Sequence, residues 1–593
     1  MTEAVRPRRR WIEPRPVSPA DVDALRESLQ LPSLLCQLLV RRGCRDPDAA
    51  RDFLRPSLET LSPPESLPDL TAAVDRIQEA IAAGETIFVH GDYDVDGMTA
   101  AALLARGLRE LGGRVDAFVP HRLRDGYDLG AAGLARAEEI GARLILTADC
   151  GMTAVEAIDA ANEAGLDVIV TDHHRPGLRL PAARAIVNPH RADSEYPFDG
   201  LTGVGVAFKL LTALHRRAGR PAGSLNRHLD LVAIGTIADR GPLVGENRTL
   251  VRAGLRVLAR TRNRGLWALM AAARVTPLDD RVPAEDVAFQ LAPRLNAAGR
   301  VGAAEEGLRL LLTEDAAEAE TMAQKLEDHN RRRRATDRRV TEEAEAQLRE
   351  SFDPEGDSAF VLWSDDWHPG VLGIVASRIA ERFCRPTIII SFDGDLGRGS
   401  ARSAGGANLI GVLDECSALL ERYGGHREAA GLDVRREALE EFRRRFLSEV
   451  SALSAGAAPG DDPAGAAPAE ERPVAGEPQE LEIDLQVTLT EAQDSIRIWL
   501  RHLEPFGFGN PRPVLLARDV RFEDLVRVGA DGSHLRASVL SEEGGRLQAI
   551  GFGMGDRAAE LREGSWELAF ELVEDHWRGR RRIQARLLDA RGA

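Results

Sequence analysis

The sequence predicts an α/β protein: a doubly wound parallel sheet, a long connecting helix, a smaller α/β unit and a C-terminal β-barrel of the OB kind. Three observations carry that expectation. From Glu85 onward, short β-branched runs alternate with Ala/Leu-rich helical stretches at the spacing of parallel βαβ units. Residues 303–350 are charged and helix-favouring, with consecutive arginines at 331–334. The final segments are short, alternate in polarity and are separated by turn residues, as in a small barrel.

The chain has 593 residues, 44% hydrophobic and 29% charged, which calls for several globular domains. Residues 1–80 read as a helical lead-in broken by prolines (LSPPESLPDL), and the basic, Pro-rich start lacks the apolar stretch of a secretory signal. The main sheet takes TIFVH (86–90), RVDAFVP (114–120), RLILTAD (143–149), LDVIVTD (166–172) and AIVN (185–188). Helices such as TAAALLARGLREL (99–111) and TAVEAIDAANEAG (153–165) lie between them. This body is expected over 81–302, the connecting helix over 303–352 and the second α/β unit over 353–452. The arginine run reads as a solvated helix face that could also line a nucleic-acid path. Residues 453–480, rich in Ala, Pro, Gly and Glu, read as a linker. The barrel, 481–593, draws on PVLLARDVRF, HLRASVLS, RLQAIGFGM, SWELAFELVEDHW and RRIQARLLD.

Several function classes are excluded. No apolar run reaches the roughly 18 residues that span a bilayer. Five scattered cysteines without CxxC spacing argue against a disulfide framework or a thiolate zinc site. A cytoplasmic protein is expected. The net charge of −17 speaks against a broadly basic nucleic-acid surface, but a locally basic groove and bound divalent ions escape that count. There is no G-x-S-x-G elbow and no P-loop, so neither a serine nucleophile nor ATP-driven unwinding is expected.

The strongest chemical signal is where acids and imidazoles fall. TIFVH runs into Gly91-Asp92-Tyr93-Asp94-Val95-Asp96, RLILTA ends at Asp149, and VIVT ends at Asp172-His173-His174. In a parallel sheet these strand ends share one edge, where ligands bind. His90, Asp92, Asp94, Asp96, Asp149, Asp172, His173 and His174 should therefore converge, joined by Asp239 at the end of an apolar helix. Any one Asp could be a simple helix cap; together, crowded carboxylates without basic partners call for cations. Oxygen and imidazole donors without thiolate suit a pair of Mn²⁺ or Mg²⁺ ions.

These motifs resemble the DHH phosphoesterase superfamily, whose triplet is Asp172-His173-His174 here, with HGDYDVDG (90–97), TADCG (147–151) and AIGTIADR (233–240) as its companions. QLAPRLNAAGR (290–300), WHPGVLGIVASRI (367–379), GRGSARS (397–403) and YGGH (423–426) are similar to its RecJ branch and the DHHA1 domain, and LEPFGFGNPRPVL (503–515) resembles the start of that branch's OB domain. The resemblance implies that Asp94, with His90, binds one metal, that Asp96, His173 and Asp239 bind the other, and that Asp149 bridges them. It implies that Asp92 supports a ligand or orients the nucleophile and that His174 faces the scissile phosphate. Arg122, Ser400 and Arg402 would read a 5′-phosphate, and Arg294, Asn296 and His426 would be further nucleic-acid contacts.

By the same resemblance, the expected activity is 5′→3′ degradation of single-stranded DNA to 5′-mononucleotides in repair and recombination. It would act as a monomer alongside a helicase and a single-strand-binding protein, with duplex excluded by a narrow crevice between two lobes. Where the branch often has GYGL, this chain has Gly126-Tyr127-Asp128-Leu129, and that added acid is expected near the DNA path. The chain stops soon after the barrel, so a further C-terminal partner-binding domain is not expected. Two alternatives stand: a phosphodiesterase for short oligoribonucleotides or cyclic dinucleotides, with which YGGH is shared, and a non-catalytic replication scaffold.

Overall fold

The alternation read from the sequence becomes a sheet because successive residues of each strand meet different helix layers. The computed structural model describes residues 9–122, 124–301, 304–351, 357–403, 407–455, 480–529, 531–577 and 580–593. Strands β1 (Thr86–Gly91), β2 (Arg114–Phe118), β3 (Ala142–Ala148), β4 (Asp167–Thr171) and β5 (Ala185–Val187) are parallel, in the order β2-β1-β3-β4-β5. Ile87, Val89, Leu144, Leu146 and Ile169 bury on one face beneath helices α1 (Val95–Glu110), α2 (Gly203–Arg217) and α3 (Leu229–Ala238). Phe88, Ile145, Val168 and Val170 bury on the other face, against the helices Ala131–Glu139 and Val155–Glu163. Both faces are covered, as in a doubly wound sheet. The chain leaves β1 toward β2 and resumes on the opposite side at β3, so the carboxyl ends of β1 and β3 flank the switch point where such sheets take ligands.

After helix α4 (Ala292–Val301), the connecting segment differs from its expected form. Ala304–Leu312 is a separate helix, and the long helix α5 runs over Ala316–Ser351. The break comes from Thr313 and Asp315. The Asp315 carboxylate accepts the Glu318 amide at 2.8 Å and so starts a new helix.

Two compact units emerge, residues 13–330 with 483–593, and the start of the chain with 331–482. In the smaller unit, β6 (Phe360–Ser364), β7 (Thr387–Asp393), β8 (Leu396–Arg402), β9 (Arg422–Gly425) and β10 (Ala429–Arg435) form a sheet ordered β9-β10-β8-β7-β6. Val340, Ala344 and Leu348 of α5 pack with helix α6 (Leu372–Phe383) on one face, and Phe442 and Phe446 cover the other. Residues 456–479, most of the expected linker, lie outside the described residues.

In the larger unit, β11 (Leu515–Val528), β12 (His534–Ser541), β13 (Arg546–Gly551), β14 (Trp566–Trp577) and β15 (Arg580–Gly592) close a barrel, ordered β11-β12-β13-β15-β14 and back to β11. The N-terminal lead-in is built into this barrel: Leu25, Leu35, Leu38 and Leu39 share one core with Leu515, Val520, Leu568 and Phe570. Among the described residues no helix is long and apolar enough to cross a membrane. All five cysteines are free.

Arg248, only 2% exposed, ties these parts of the larger unit together. Its guanidinium donates to the carbonyls of Phe53, Leu503 and His502 at 3.0, 3.0 and 2.9 Å and lies 3.8 Å over the Phe53 ring. Arg248→Met keeps much of the volume but removes three charge-assisted hydrogen bonds and the ring contact, while Leu503 O keeps Asn510 and His502 O keeps Arg252 as donors. It is expected to destabilise this unit by about 3 kcal/mol, read as a lower urea midpoint.

Candidate metal centre

Local backbone chemistry sets the acids in place before any ion is considered. Asp94 is the N-cap of α1 and accepts the Gly97 amide at 3.0 Å, so the simple capping role is real at that position. Asp96 does something different. It accepts the amides of Gly203 and Val204, 2.7 and 3.0 Å away, so the positive end of α2 fixes its position. Asp149 follows β3 with φ 65°, a left-handed backbone costing a non-glycine residue about 1 kcal/mol. Such strain persists where position matters more than stability.

Two glycines let these carboxylates sit against helix backbone. A Cβ on Gly203 would fall 2.4 Å from Asp149 Cβ, and one on Gly235 would fall 2.6 Å from Asp96 Oδ1. The glycine at the start of α2 and the one inside α3 are therefore part of the site, though neither is among the residues expected from the sequence. Their signal is a glycine in a helical run whose partner acid lies elsewhere in the chain.

Ligand atoms gather in three overlapping groups: Asp92, Asp94 and Asp149; Asp96, His173 and Asp239; and Asp149, His173 and His174. His173 Nε2 lies 3.1 Å from Asp149 Oδ1, 3.6 Å from Asp239 Oδ2 and 4.0 Å from Asp96 Oδ2. Although close, His173 Nε2 and Asp149 Oδ1 do not meet in hydrogen-bond geometry, and both are buried without a hydrogen-bond partner, as is Asp92 Oδ1. Burial, followed by the charge of neighbouring acids, pushes Asp92, Asp96 and Asp149 well above the usual carboxylate range. Burial, and then Asp94, lifts Asp239 to about 7. Burial, and then His174, lowers His173 to about 4, which leaves a neutral imidazole able to coordinate. Partnerless buried donors of oxygen and imidazole type, in a field that disfavours their own negative charge, fit hard divalent cations.

Asp172 is buried at the same edge but spends its oxygens on the backbone. It accepts the amides of His173, His174 and Met152 at 2.7, 3.0 and 3.0 Å, and His174 Nδ1 at 2.7 Å. Burial works against a charged His174, yet Asp172 outweighs it and raises the imidazole to about 9. Asp172 thus orients the His174 imidazole and anchors the backbone of both histidines.

His90, expected as a metal ligand, does not join these groups, and Arg294, expected as a nucleic-acid contact, is turned toward other partners. His90 is fully buried, its ring packed against Phe88 and Phe118 and its Nδ1 3.7 Å from Cys150 Sγ, and it joins none of the three ligand groups. Its strand position points it into the layer beneath the sheet edge. Arg294 is also buried; it donates to Glu327 and to the Gln290 carbonyl, each at 2.6 Å. It sits two residues before Asn296 on α4, about 200° around the helix, so the two face apart. Arg300, four residues after Asn296, shares its side. Together with Tyr93, Asp94, Arg122, Ala238 and Gly299 they line a cavity of about 260 Å³ beside the acids.

In the smaller unit, Arg402 donates to Ser400 Oγ at 3.0 Å, and both lie against Gly373 in the first turn of α6. His426 is exposed on the hairpin whose Ala429 pairs with Arg402.

Comparison with known proteins places the chain in a family. The chain matches the DHH family N-terminal domain over residues 86–236, the DHHA1 domain over 356–452 and the RecJ OB domain over 483–589. It is 36% identical over 587 residues to the single-stranded-DNA-specific exonuclease RecJ of Bacillus subtilis (strain 168), covering 98% of this chain and 70% of that protein. The crystal structure of RecJ in complex with Mn²⁺ from Thermus thermophilus is similar with a TM-score of 0.80 and 33% identity, covering 100% of this chain and 80% of that one. The Mg²⁺ complex from the same organism gives 0.74 and 32%, covering 98% and 78%. With the three domains in this order and the ligand groups at the switch point of the sheet, the chain belongs to the RecJ family of DHH exonucleases.

Proposed function

We propose that this metal-dependent, single-strand-specific exonuclease degrades DNA from the 5′ end and releases 5′-mononucleotides. The observation that carries the reading is the set of three ligand groups at the carboxyl edge of the sheet, two of which share Asp149. In this reading Asp92, Asp94 and Asp149 hold one Mn²⁺ or Mg²⁺ ion, and Asp96, His173 and Asp239, with Asp149 shared, hold the other. When bound, the ion pair supplies a water activated for in-line attack and neutralises charge building on the phosphoryl group. His174, kept cationic by Asp172, donates a proton-bearing nitrogen toward a phosphate oxygen. Asp92, a member of its ion's ligand group, would orient the attacking water with the carboxylate oxygen that does not hold the ion.

Arg122, Asn296 and Arg300 in the adjoining cavity suit phosphate oxygens of the strand. Within the smaller unit, the paired Ser400 and Arg402 suit the oxygens of a terminal phosphate, and the exposed His426 is a further strand contact in this reading. The barrel over 481–593 is a platform for an extended strand, which favours DNA over short oligoribonucleotides or cyclic dinucleotides. Action in the cytoplasm, with a helicase to open duplex and a single-strand-binding protein to present the strand, completes the reading.

The test is product analysis on single-stranded DNA labelled at either end, with Mn²⁺. Mononucleotides from the 5′ end are expected; dinucleotide-length substrates cleaved in preference would refute the assignment. Arg402→Ala is expected to lower the preference for 5′-phosphorylated over 5′-hydroxyl ends by about tenfold, with little effect on turnover at saturation. An unchanged preference would remove Arg402 from end recognition.

A further inference from the structure

Asp128, expected as an acid beside the DNA path, is turned into the protein. Its Oδ1 accepts the Gly151 amide at 2.7 Å and the Leu129 amide at 2.8 Å, and its Oδ2 accepts the Thr153 hydroxyl at 2.8 Å. Gly151 and Thr153 belong to the turn that carries Asp149 out of β3. The backbone of Asp128 is left-handed, with φ 71°. That conformation favours glycine, so the acid sits there at a local cost that its hydrogen bonds offset.

The neighbouring residue shows what the arrangement holds. Tyr127 is 47% exposed, yet its ring stands edge-on to His174, with centroids 6.2 Å apart and planes at 81°. It also meets Tyr93 edge-on at 6.4 Å, and the Arg122 guanidinium lies 5.2 Å from the Tyr93 ring centre. The segment bearing Tyr127 thus forms a wall of the metal centre, and the Asp128 carboxylate joins that wall to the Asp149 turn.

We propose that Asp128 is a positioning residue that latches Gly126–Gly130 onto the turn after Asp149, holding Tyr127 against His174 where the DNA strand meets the metal centre. This rests on the single-strand nuclease reading above. The carboxylate acts through the loop, touching neither ion nor strand. Its loss should therefore weaken productive strand binding and leave the chemical step intact.

The test compares full-length wild type, Asp128→Ala, Asp128→Asn and Thr153→Val by steady-state cleavage of single-stranded DNA, Mn²⁺ titration and hydrogen exchange of the peptide 149–155. Asp128→Ala is expected to raise KM about tenfold, with kcat and Mn²⁺ affinity held within about twofold. Asp128→Asn tolerates the left-handed backbone and keeps an acceptor for the Gly151 amide, so it should stay within about threefold of wild type. Thr153→Val, which removes one bond, should fall between. An unchanged KM in Asp128→Ala, or matching losses of kcat and Mn²⁺ affinity, would overturn the latch. Wild type that releases no nucleotide from DNA would overturn the nuclease reading instead. Exchange would then still decide the latch, by whether peptide 149–155 loses protection in Asp128→Ala.

Discussion

Asp149→Asn is expected to abolish cooperative Mn²⁺ binding and to lower turnover by about 10³-fold or more. Asp149 belongs to two of the three ligand groups, and in the proposed assignment it is shared by both ions, so one lost charge would weaken both positions. Asparagine is the informative replacement because it keeps the side-chain volume and tolerates the left-handed backbone at φ 65°. Stability should move in the opposite direction to activity. Without metal, the buried Asp149 carboxylate is crowded by Asp96, Asp94 and Asp239. Removing its charge relieves that repulsion. The chelated variant should therefore melt at or above the chelated wild type. Mn²⁺ should raise the wild-type Tm by linkage and the variant's far less. A variant that kept the full Mn²⁺-induced shift would show that Asp149 does not bridge the ions.

Gly203→Ala is the second large effect, and it removes no ligand. The added methyl would lie 2.4 Å from Asp149 Cβ and 2.5 Å from Asp149 Oδ1, far inside contact distance. Relief requires that Asp149 shift or that the start of α2 lift, and the Gly203 and Val204 amides that hold Asp96 move with it. Loss of Mn²⁺ affinity of about 100-fold is expected, with overpacking destabilising the fold by about 1–3 kcal/mol. The measurement is Mn²⁺ titration of the folded variant, checked by circular dichroism. Affinity equal to wild type would mean that the helix start accommodates the methyl without moving either carboxylate.

Much of the architecture was legible locally. The β-branched runs located all five strands of the main sheet to within two residues at either end, because alternation against two buried faces is written into neighbouring side chains. Turn-rich alternation located the barrel in the same way. The lead-in, by contrast, reads locally as a separate element. Its leucines complete the core of a barrel more than four hundred residues away in sequence, and no local pattern reports such a partner.

The site divides along the same line. That Asp92, Asp94, Asp96, Asp149, His173 and His174 stand at strand ends follows from the chain alone, since strand polarity sends those ends to one edge. Tertiary packing decided the rest. It turned His90 beneath the sheet and Arg294 toward Glu327, gave Asp172 to the backbone and to His174, and folded Asp128 inward as a tie. It also made Gly203 and Gly235 indispensable by pressing carboxylates onto helix backbone. A residue's position along an element is a local property, but the direction in which its polar atoms find partners depends on groups that only the folded chain brings near.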